Sequence, residues 1–371
     1  MSTGIDFASL FNQIATTDAA IVRGKFNGSQ LRRAYEPFTT LLESAKGDAR
    51  GTGWQKNFHT GPNAGATRGI LPYEDVAPQR SPAQRQLTDK WVIVSTEGIV
   101  YDMFELYQNQ GAGADQIVDM MVADEEAVAE DQAEFWAAMT AGVGIETSSD
   151  TKHTKGVLYY ARRSINSSGT FVANATGGWT GQYVTLADAT TIGTMMGQDT
   201  TLEANKRLRN FNITHDNTFG VDHFNQIRIM NSRLKFSPFK GRNGDMVTGG
   251  HVTWWNTATN DAYIKIINDG PDDRGRGGAL ADLFPFTQGS IGGVPVKVCE
   301  FWDDLVDNPA VSMRKGALKL SHFPNSWFTP TKPIMVNGSY HTFYKAQHSM
   351  AQLLAEYGTR EGLGICHGPL T

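Results

Sequence analysis

Apolar and acidic residues follow a regular pattern between positions 115 and 140. Five apolar residues recur there at spacings of four and seven, and they share one side of a helix: Ile117, Met121, Val128, Phe135 and Met139. Four acidic residues form a stripe on the opposite side: Asp119, Glu126, Glu130 and Glu134. Glycines follow at 142 and 144, as is typical of a helix end. The pattern predicts one amphipathic helix over 115–140, about 40 Å long.

The remaining elements mix strands with short helices. β-Branched and aromatic residues predict strands at 91–107, Val157–Tyr160 and Val252–Trp255. Near the C-terminal end, residues 334–336 predict a strand and Asn337-Gly338 a turn. The spacing of the next apolar residues predicts a helix that carries Phe343, Ala346, Met350, Leu353, Leu354 and Tyr357. The fold class that this order indicates is α+β.

An extended segment precedes the first predicted strand. Residues 45–86 are rich in Gly, Pro and basic residues and lack helical periodicity, which is typical of a linker or of a functional loop. Four large apolar residues in this segment, which a solvated linker does not need, are Trp54, Phe58, Ile70 and Leu71. We therefore expect an extended arm that lies on another surface.

Charge is distributed unevenly along the chain. The formal net charge is −5, yet no Lys or Arg lies between Lys90 and Lys152, a stretch that holds 13 carboxylates. Such a block repels nucleic acid and attracts basic protein surfaces. The alternative interpretation is an acidic, solvated helix face with no partner.

Composition and motifs exclude several classes of protein. Two cysteines, Cys299 and Cys366, cannot form a disulfide framework, so a reducing compartment is expected. We find no leader pattern and no run of about 18 apolar residues, so neither secretion nor membrane insertion is expected. The common phosphate-binding, dinucleotide-binding, zinc-protease and serine-hydrolase signatures do not occur in the sequence.

The remaining candidates for site chemistry have simpler explanations. Cys366 and His367 could supply two metal ligands, but nothing nearby supplies two more, which favours a packed Cys beside a surface His. Trp254 and Trp255 could stack on a sugar or base, but their strand pattern favours the core or an interface. We predict no catalytic residue, no metal site and no cofactor.

The order of these elements resembles the major capsid protein of tailed double-stranded DNA bacteriophages, with its Hong Kong 97-type fold. Two short segments also resemble phage capsid subunits: Ile-Leu-Pro-Tyr-Glu-Asp-Val-Ala-Pro at 70–78 and Gly-Ile-Val-Tyr-Asp-Met-Phe at 98–104. It implies an N-terminal arm at 1–45, an extended loop with returning strands at 46–110, and a peripheral domain at 111–180 built on the long helix as its spine. An axial domain at 181–330 and a closing peripheral segment at 331–371 complete the implied layout.

The resemblance also implies a function and a set of partners. The subunit is expected to assemble through hexamers and pentamers into an icosahedral shell that encloses double-stranded DNA non-specifically. The expected location is the virion capsid, assembled in the host bacterial cytoplasm. A separate scaffolding protein is expected, since the arm is too short to contain one, together with portal and decoration proteins. Membrane contact and covalent cross-links are not predicted.

In such lattices the extended loop of one subunit lies over the peripheral domain of its neighbour. This implies a contact between basic and acidic side chains, the first set being Arg68, Arg80, Arg85 and Lys90, and the second Asp119, Asp124, Glu126, Glu130, Asp131 and Glu134. Apolar burial by Trp54, Phe58, Ile70 and Leu71 is expected to supply more of the affinity. Three alternatives stay open: an encapsulin-like cargo shell, a phage tail or receptor-binding protein, and an enzyme with an unrecognised site.

Overall fold

The architecture comes from a computed structural model of the 371-residue chain. It describes residues 35–43, 45–47, 53–59, 84–102, 114–144, 151–161, 182–184, 196, 198, 208, 210–215, 221–234, 239–240, 246–247, 251–268, 290–291, 294–314, 316–324, 326–331, 334–336, 342–355 and 362–368. The statements below concern these residues.

Helices of very different lengths occur in the described ranges. They are α1 (Phe38–Glu43), α2 (Ala114–Ala141), α3 (Val157–Tyr160), α4 (Val221–Arg233) and α5 (Thr257–Asn268), with a 3-10 helix at Glu300–Trp302. The long helix predicted over 115–140 is confirmed as α2. Residues 157–160, predicted to be a strand, form the buried helix α3 instead. Their continuous apolar run was ambiguous because a short buried helix lacks a polar face.

The strands form two larger sheets and two short ribbons. In chain order they are β1 (Lys46–Gly47), β2 (Gly53–His59), β3 (Gln84–Lys90), β4 (Val92–Asp102), β5 (Gln182–Val184), β6 (Asn210–Thr214), β7 (Phe239–Lys240), β8 (Met246–Val247), β9 (Val252–Trp255), β10 (Ser290–Ile291), β11 (Val294–Val298), β12 (Ala310–Met313), β13 (Leu318–His322), β14 (Thr329–Pro330), β15 (Ile334–Met335), β16 (Thr342–Ala355) and β17 (Leu363–His367). The predicted strands at β4, β9 and β15 are confirmed.

The first sheet is organised around β16. This 14-residue strand pairs antiparallel with β4 along one edge and with β13, β14 and β15 along the other, while β1 pairs parallel with β13. The helix predicted over this segment is therefore wrong. Residues 351–355 are all buried, so this end of the strand shows no alternation of apolar and polar residues. Without that alternation, its apolar spacing imitated a helix.

The second sheet has seven strands in the order β10-β11-β9-β12-β17-β6-β5. One face packs against the first sheet and α2 in a shared core, and its residues include Val252, Trp254, Val311, Met313, Leu363 and Ile365. The opposite face packs beneath α4 and α5, and its residues include Phe211, Ile213, Trp255, Val296, Ala310 and Cys366. Trp254 and Trp255 thus lie on the two faces of one strand, which confirms them as core residues.

Helix α2 is bonded to the first sheet along its buried side. Gln132 Nε2 donates to the carbonyl oxygens of Val94 and Gln347, each at 3.2 Å, and Trp136 Nε1 donates to Ser349 Oγ. At the C-terminal end of the helix, Trp302 Nε1 donates to the Ala141 carbonyl at 2.9 Å. The helix is therefore fixed in rotation and in position along its axis.

Lys345 is a fully buried residue of β16. It lies next to a shift in the register between β16 and β4, which falls between Lys345 and Ala346. Burial lowers the pKa of Lys345 from 10.5 to about 8. Between these values the unfolded chain binds more protons than the folded chain, so this residue makes stability rise with pH across that window. At neutral pH, below both values, the lysine is charged in the folded and in the unfolded chain.

Replacing this lysine by an apolar side chain should remove a pH dependence from the stability of the fold. Between about pH 7 and pH 10 we expect the free energy of unfolding of the native chain to rise by about 2–3 kcal/mol more than that of Lys345→Met, since folding lowers the pKa of the native lysine. Urea unfolding at both pH values measures the difference. Lys265→Met, at an exposed lysine, serves as control and should keep the native pH dependence. A Lys345→Met variant with the native pH dependence would show that folding leaves the pKa of Lys345 unchanged.

Candidate subunit interface

One side of α2 is exposed and strongly acidic. Its exposed residues, which we call the acidic face, are Asp124, Ala127, Asp131, Glu134, Phe135 and Ala138. The opposite side is buried, and its residues are Val128, Ala129, Gln132, Ala133, Trp136, Ala137, Met139 and Thr140. Among the described residues, no basic side chain forms an ion pair with the carboxylates of this face.

The structure refines the acidic stripe that the sequence predicted. Glu134 lies on the acidic face, whereas Glu130 is half-buried at its margin. Asp124 and Asp131, predicted only as flanking residues, are fully part of the exposed face. Asp119 and Glu126 belong to α2, but their side chains lie outside the described part of the structure.

Phe135 was predicted to share one side of the helix with Val128 and Met139, and these two residues are buried whereas Phe135 is not. Its side chain is 46% exposed at the edge of the acidic face, whereas the neighbouring Trp136 is fully buried. The helix is rotated so that Trp136 meets Ser349 of the sheet. The alanines at 129, 133 and 137, one turn apart on the side of Trp136, were the signal that could have identified the buried face.

The extended arm predicted by the sequence contains a two-stranded antiparallel structure. Strands β2 and β3 pair from Gly53 opposite Lys90 to His59 opposite Gln84, and we call this pair the ribbon. Lys90 is exposed at its base, and Trp54, Phe58 and Arg85 lie in its strands. Arg68, Ile70, Leu71 and Arg80 lie outside the described residues.

The base of the ribbon is attached to its own subunit. Asp89 accepts hydrogen bonds from Lys155 Nζ at 2.7 Å and from Gln352 Nε2 at 2.9 Å. Further along β3, Leu87 is buried in the main core, and the Gln86 carbonyl accepts a bond from Gln198 Nε2. Within the described chain, no ion pair joins the ribbon to the acidic face.

Other candidate sites in the described residues are structural. Cys299 and Cys366 are free and buried, and burial raises the pKa of both thiols. His367, predicted to lie at the surface, is buried with Nδ1 4.0 Å from Asp307 Oδ2, so that prediction is wrong. The reason is its strand: β17 is interior to the second sheet, between β6 and β12. No group of three or more metal-ligating side chains occurs within the described ranges.

The described helices include none that is long and apolar enough to cross a membrane. No protein-family model matches the sequence, and no curated protein matches it either.

Solved structures share the fold over nearly the whole chain. The capsid asymmetric unit of cyanophage A-1(L) superposes with a TM-score of 0.58 at 10% identity, covering 92% of this chain and 95% of that one. The capsid of a native GTA particle superposes with a TM-score of 0.51 at 10% identity, covering 93% of this chain and 94% of that one. The mature capsid of bacteriophage PhiM1 superposes with a TM-score of 0.50 at 8% identity, covering 93% of this chain and 90% of that one. The chain therefore has the fold of phage capsid proteins, and the resemblance indicated by its sequence is confirmed at the level of the fold.

Proposed function

We propose that this chain is a major capsid protein, a structural and non-enzymatic subunit that assembles into a closed icosahedral shell. The observation that carries the proposal is the fold shared with the cyanophage A-1(L) capsid subunit over 92% of this chain and 95% of that one. Coverage of both chains at this level means that the likeness extends to the arrangement of the elements and is not confined to one common motif.

The proposed domain layout is that of the Hong Kong 97 type. The ribbon supports an extended loop at 46–110, and the long α2 supports a spine helix in a peripheral domain at 111–180 and 331–371. The axial domain proposed at 181–330 contains α4, α5 and six strands of the second sheet, while the seventh strand, β17, comes from the closing segment. The N-terminal arm is proposed at 1–45, and its helix α1 packs into the shared core through Phe38 and Leu41.

We place the main lateral contact between the ribbon of one copy and the acidic face of the next. Helix α2 carries eight carboxylates and no Lys or Arg, whereas residues 46–90 carry seven basic and four acidic residues. Opposite charges steer the two surfaces into register, although each exposed pair contributes only about 0.2–1 kcal/mol. Because one surface meets a different surface, the contact is head-to-tail and can close into hexamers and pentamers.

Phe135 provides the apolar centre of this contact. A large, half-exposed apolar side chain on an otherwise acidic face is suited to burial against the apolar residues of a ribbon. We expect Phe135→Ala to raise the critical concentration for assembly about tenfold, which corresponds to the loss of 1–2 kcal/mol of buried apolar contact. Light scattering against protein concentration measures this threshold.

The control for Phe135 is another exposed apolar residue. Val306 is 60% exposed in a turn remote from α2 in sequence, so Val306→Ala should leave the threshold unchanged. Both variants should keep the native melting temperature, since neither position is buried. If Phe135→Ala and the native chain assemble above the same critical concentration, Phe135 does not belong to the interface.

The proposed shell encloses double-stranded DNA and forms the capsid of a virion assembled in a bacterial cytoplasm. A net-acidic subunit is compatible with this role, because confinement of DNA needs little specific contact. Scaffolding, portal and decoration proteins are the further partners proposed. The phage capsids that share the fold favour a genome container over an encapsulin-like cargo shell.

Particle formation tests the proposal directly. The purified chain, expressed alone and with its neighbouring genes, should sediment as capsomers or closed shells, and electron microscopy should show particles of uniform diameter. Nuclease-protected double-stranded DNA in particles from infected cells would distinguish a genome container from a cargo shell. A chain that stays monomeric at every concentration and with every neighbouring gene product would contradict the proposed function.

A further inference from the structure

Asp89 lies where the ribbon joins the body of the subunit. It is the penultimate residue of β3, and its side chain is only 10% exposed. Both carboxylate oxygens accept hydrogen bonds: Oδ2 from Lys155 Nζ and Gln352 Nε2, and Oδ1 from the backbone N–H of Lys90 at 3.0 Å. A carboxylate that is nearly buried and used on both oxygens is held in one orientation.

The partners of Asp89 come from two other parts of the subunit. Lys155 belongs to the segment that follows α2, and its ammonium group also lies 5.5 Å from the ring centroid of Tyr159. Gln352 belongs to β16, the central strand of the first sheet. The ribbon, the segment after the long helix and the central strand therefore meet at one carboxylate.

The amide of Gln352 is oriented by a further residue. Thr154 Oγ1 donates to Gln352 Oε1, and Thr154 Oγ1 in turn accepts from the backbone N–H of Leu353 at 3.2 Å. With its oxygen engaged in this way, Gln352 presents its NH₂ group to Asp89. We call Asp89, Lys155, Gln352 and Thr154 the latch.

The latch lies at the base of the ribbon, where a small change of angle displaces the far end of the ribbon. Strands rise about 3.3 Å per residue, so the seven residues of β2 span about 20 Å. A rotation of about 10° at the base moves the far end of the ribbon by about 3 Å, which is enough to misalign hydrogen bonds and ion pairs. The neighbouring contacts of β3, Leu87 in the core and the Gln86 carbonyl, carry no charge.

We infer that Asp89 is a positioning residue: through Lys155 and Gln352 it sets the angle at which the ribbon leaves the subunit, and thereby the angle between neighbouring copies of this chain. This inference rests on the proposed function, because it assigns to the ribbon a second copy as partner. Loss of the latch leaves the chain folded but allows the ribbon a range of directions, and shells of more than one curvature follow.

The ribbon angle can be measured in the full chain by pulsed electron spin resonance. Spin labels at Asn57→Cys on the ribbon and Ala138→Cys on α2 occupy exposed positions, and the natural cysteines are buried. Labelled chains are diluted with an excess of unlabelled chains so that each distance is intramolecular. The latched protein should give a single narrow distance distribution, and Asp89→Asn a broad one.

Two variants of opposite charge separate the latch from a general charge effect. Asp89→Asn makes the net charge more positive and Lys155→Met makes it more negative, yet both remove the same pair and should broaden the distribution alike. The double variant should be no broader than either single one. Asp304→Asn, at an exposed aspartate in a turn, is the matched control and should keep the narrow distribution.

The particles give the second readout. Asp89→Asn and Lys155→Met should form shells of mixed diameter under conditions in which the native chain and Asp304→Asn form uniform ones. Narrow distance distributions in both latch variants would overturn the inference, whatever particles they form. A native chain that forms no shell would instead contradict the proposed function, while the distance measurement would still decide whether Asp89 holds the ribbon.

Discussion

A chain carrying Asp131→Lys and Glu134→Lys is expected to fold normally and to form no closed shells. Both carboxylates lie on the acidic face of α2, where the proposed partner is a basic ribbon of the next copy. An exposed ion pair contributes about 0.2–1 kcal/mol. Because each reversal replaces an attraction by a repulsion, its cost to the contact is about twice the contribution of one pair. Because every contact in a closed shell repeats this penalty, a small change per contact abolishes the assembled state.

The measurement combines sedimentation velocity with thermal unfolding. The double variant should sediment as free subunits, and its melting temperature should stay close to that of the native chain, because exposed substitutions change stability by only about 0.5 kcal/mol. The matched control is Asp261→Lys with Asp304→Lys, two exposed aspartates outside α2. Each pair of reversals changes the net charge by 2 × 2 = 4, from −5 to −1. Normal shells from the α2 variant, or none from the control, would refute the pairing.

The second large effect is expected at Gly156. A Cβ at this position would lie 1.9 Å from the Gly142 carbonyl oxygen and 2.5 Å from that of Met139, and both are backbone atoms that cannot rotate away. Gly156 and Leu158 also donate backbone hydrogen bonds to Val143 and Gly142, at 2.9 and 3.1 Å. Gly156→Ala must therefore separate the chain after α2 from the end of the helix. We expect a loss of about 4 kcal/mol or more in the free energy of unfolding.

Gly142 offers a control in the same turn. Its added Cβ would lie 3.5 Å from the nearest backbone oxygen, an ordinary contact distance. Gly142→Ala should therefore change stability by no more than about 1 kcal/mol, with a gain possible from the reduced freedom of the unfolded chain. Denaturant unfolding measures the free energy of unfolding of both alanine variants and of the native chain. A Gly156→Ala variant as stable as Gly142→Ala would show that the two segments separate at little cost.

The helix α2 was predictable because its signals are local. Apolar residues at helical spacing and glycines after position 141 depend only on neighbours in the sequence, and they placed the helix within one residue at each end. The rotation of the helix about its own axis, which decides the buried side, was not predictable from local signals. Gln132 bonds to Gln347, 215 residues away, and contacts of this kind decide that Trp136 is buried and Phe135 exposed.

The segment that became β16 shows the opposite case. Its apolar spacing satisfied a helical template, but its register with β4 and β13 covers both edges of the strand. The backbone hydrogen bonds gained from two neighbouring strands outweigh a local preference that differs by less than about 1 kcal/mol per residue. Strand partners far apart in the chain cannot be read from a window of 14 residues.

For the candidate interface, the sequence by itself determined the separation of charge: an acidic helix without a single basic residue and a basic, extended segment before it. Only the tertiary structure decided which carboxylates face outward, that Phe135 lies among them, and that Asp89 fastens the ribbon to Lys155 and Gln352. Charge and periodicity belong to the residues in order along the chain. Exposure and contact depend on which distant segments fold together, since burial is a property of the packed molecule.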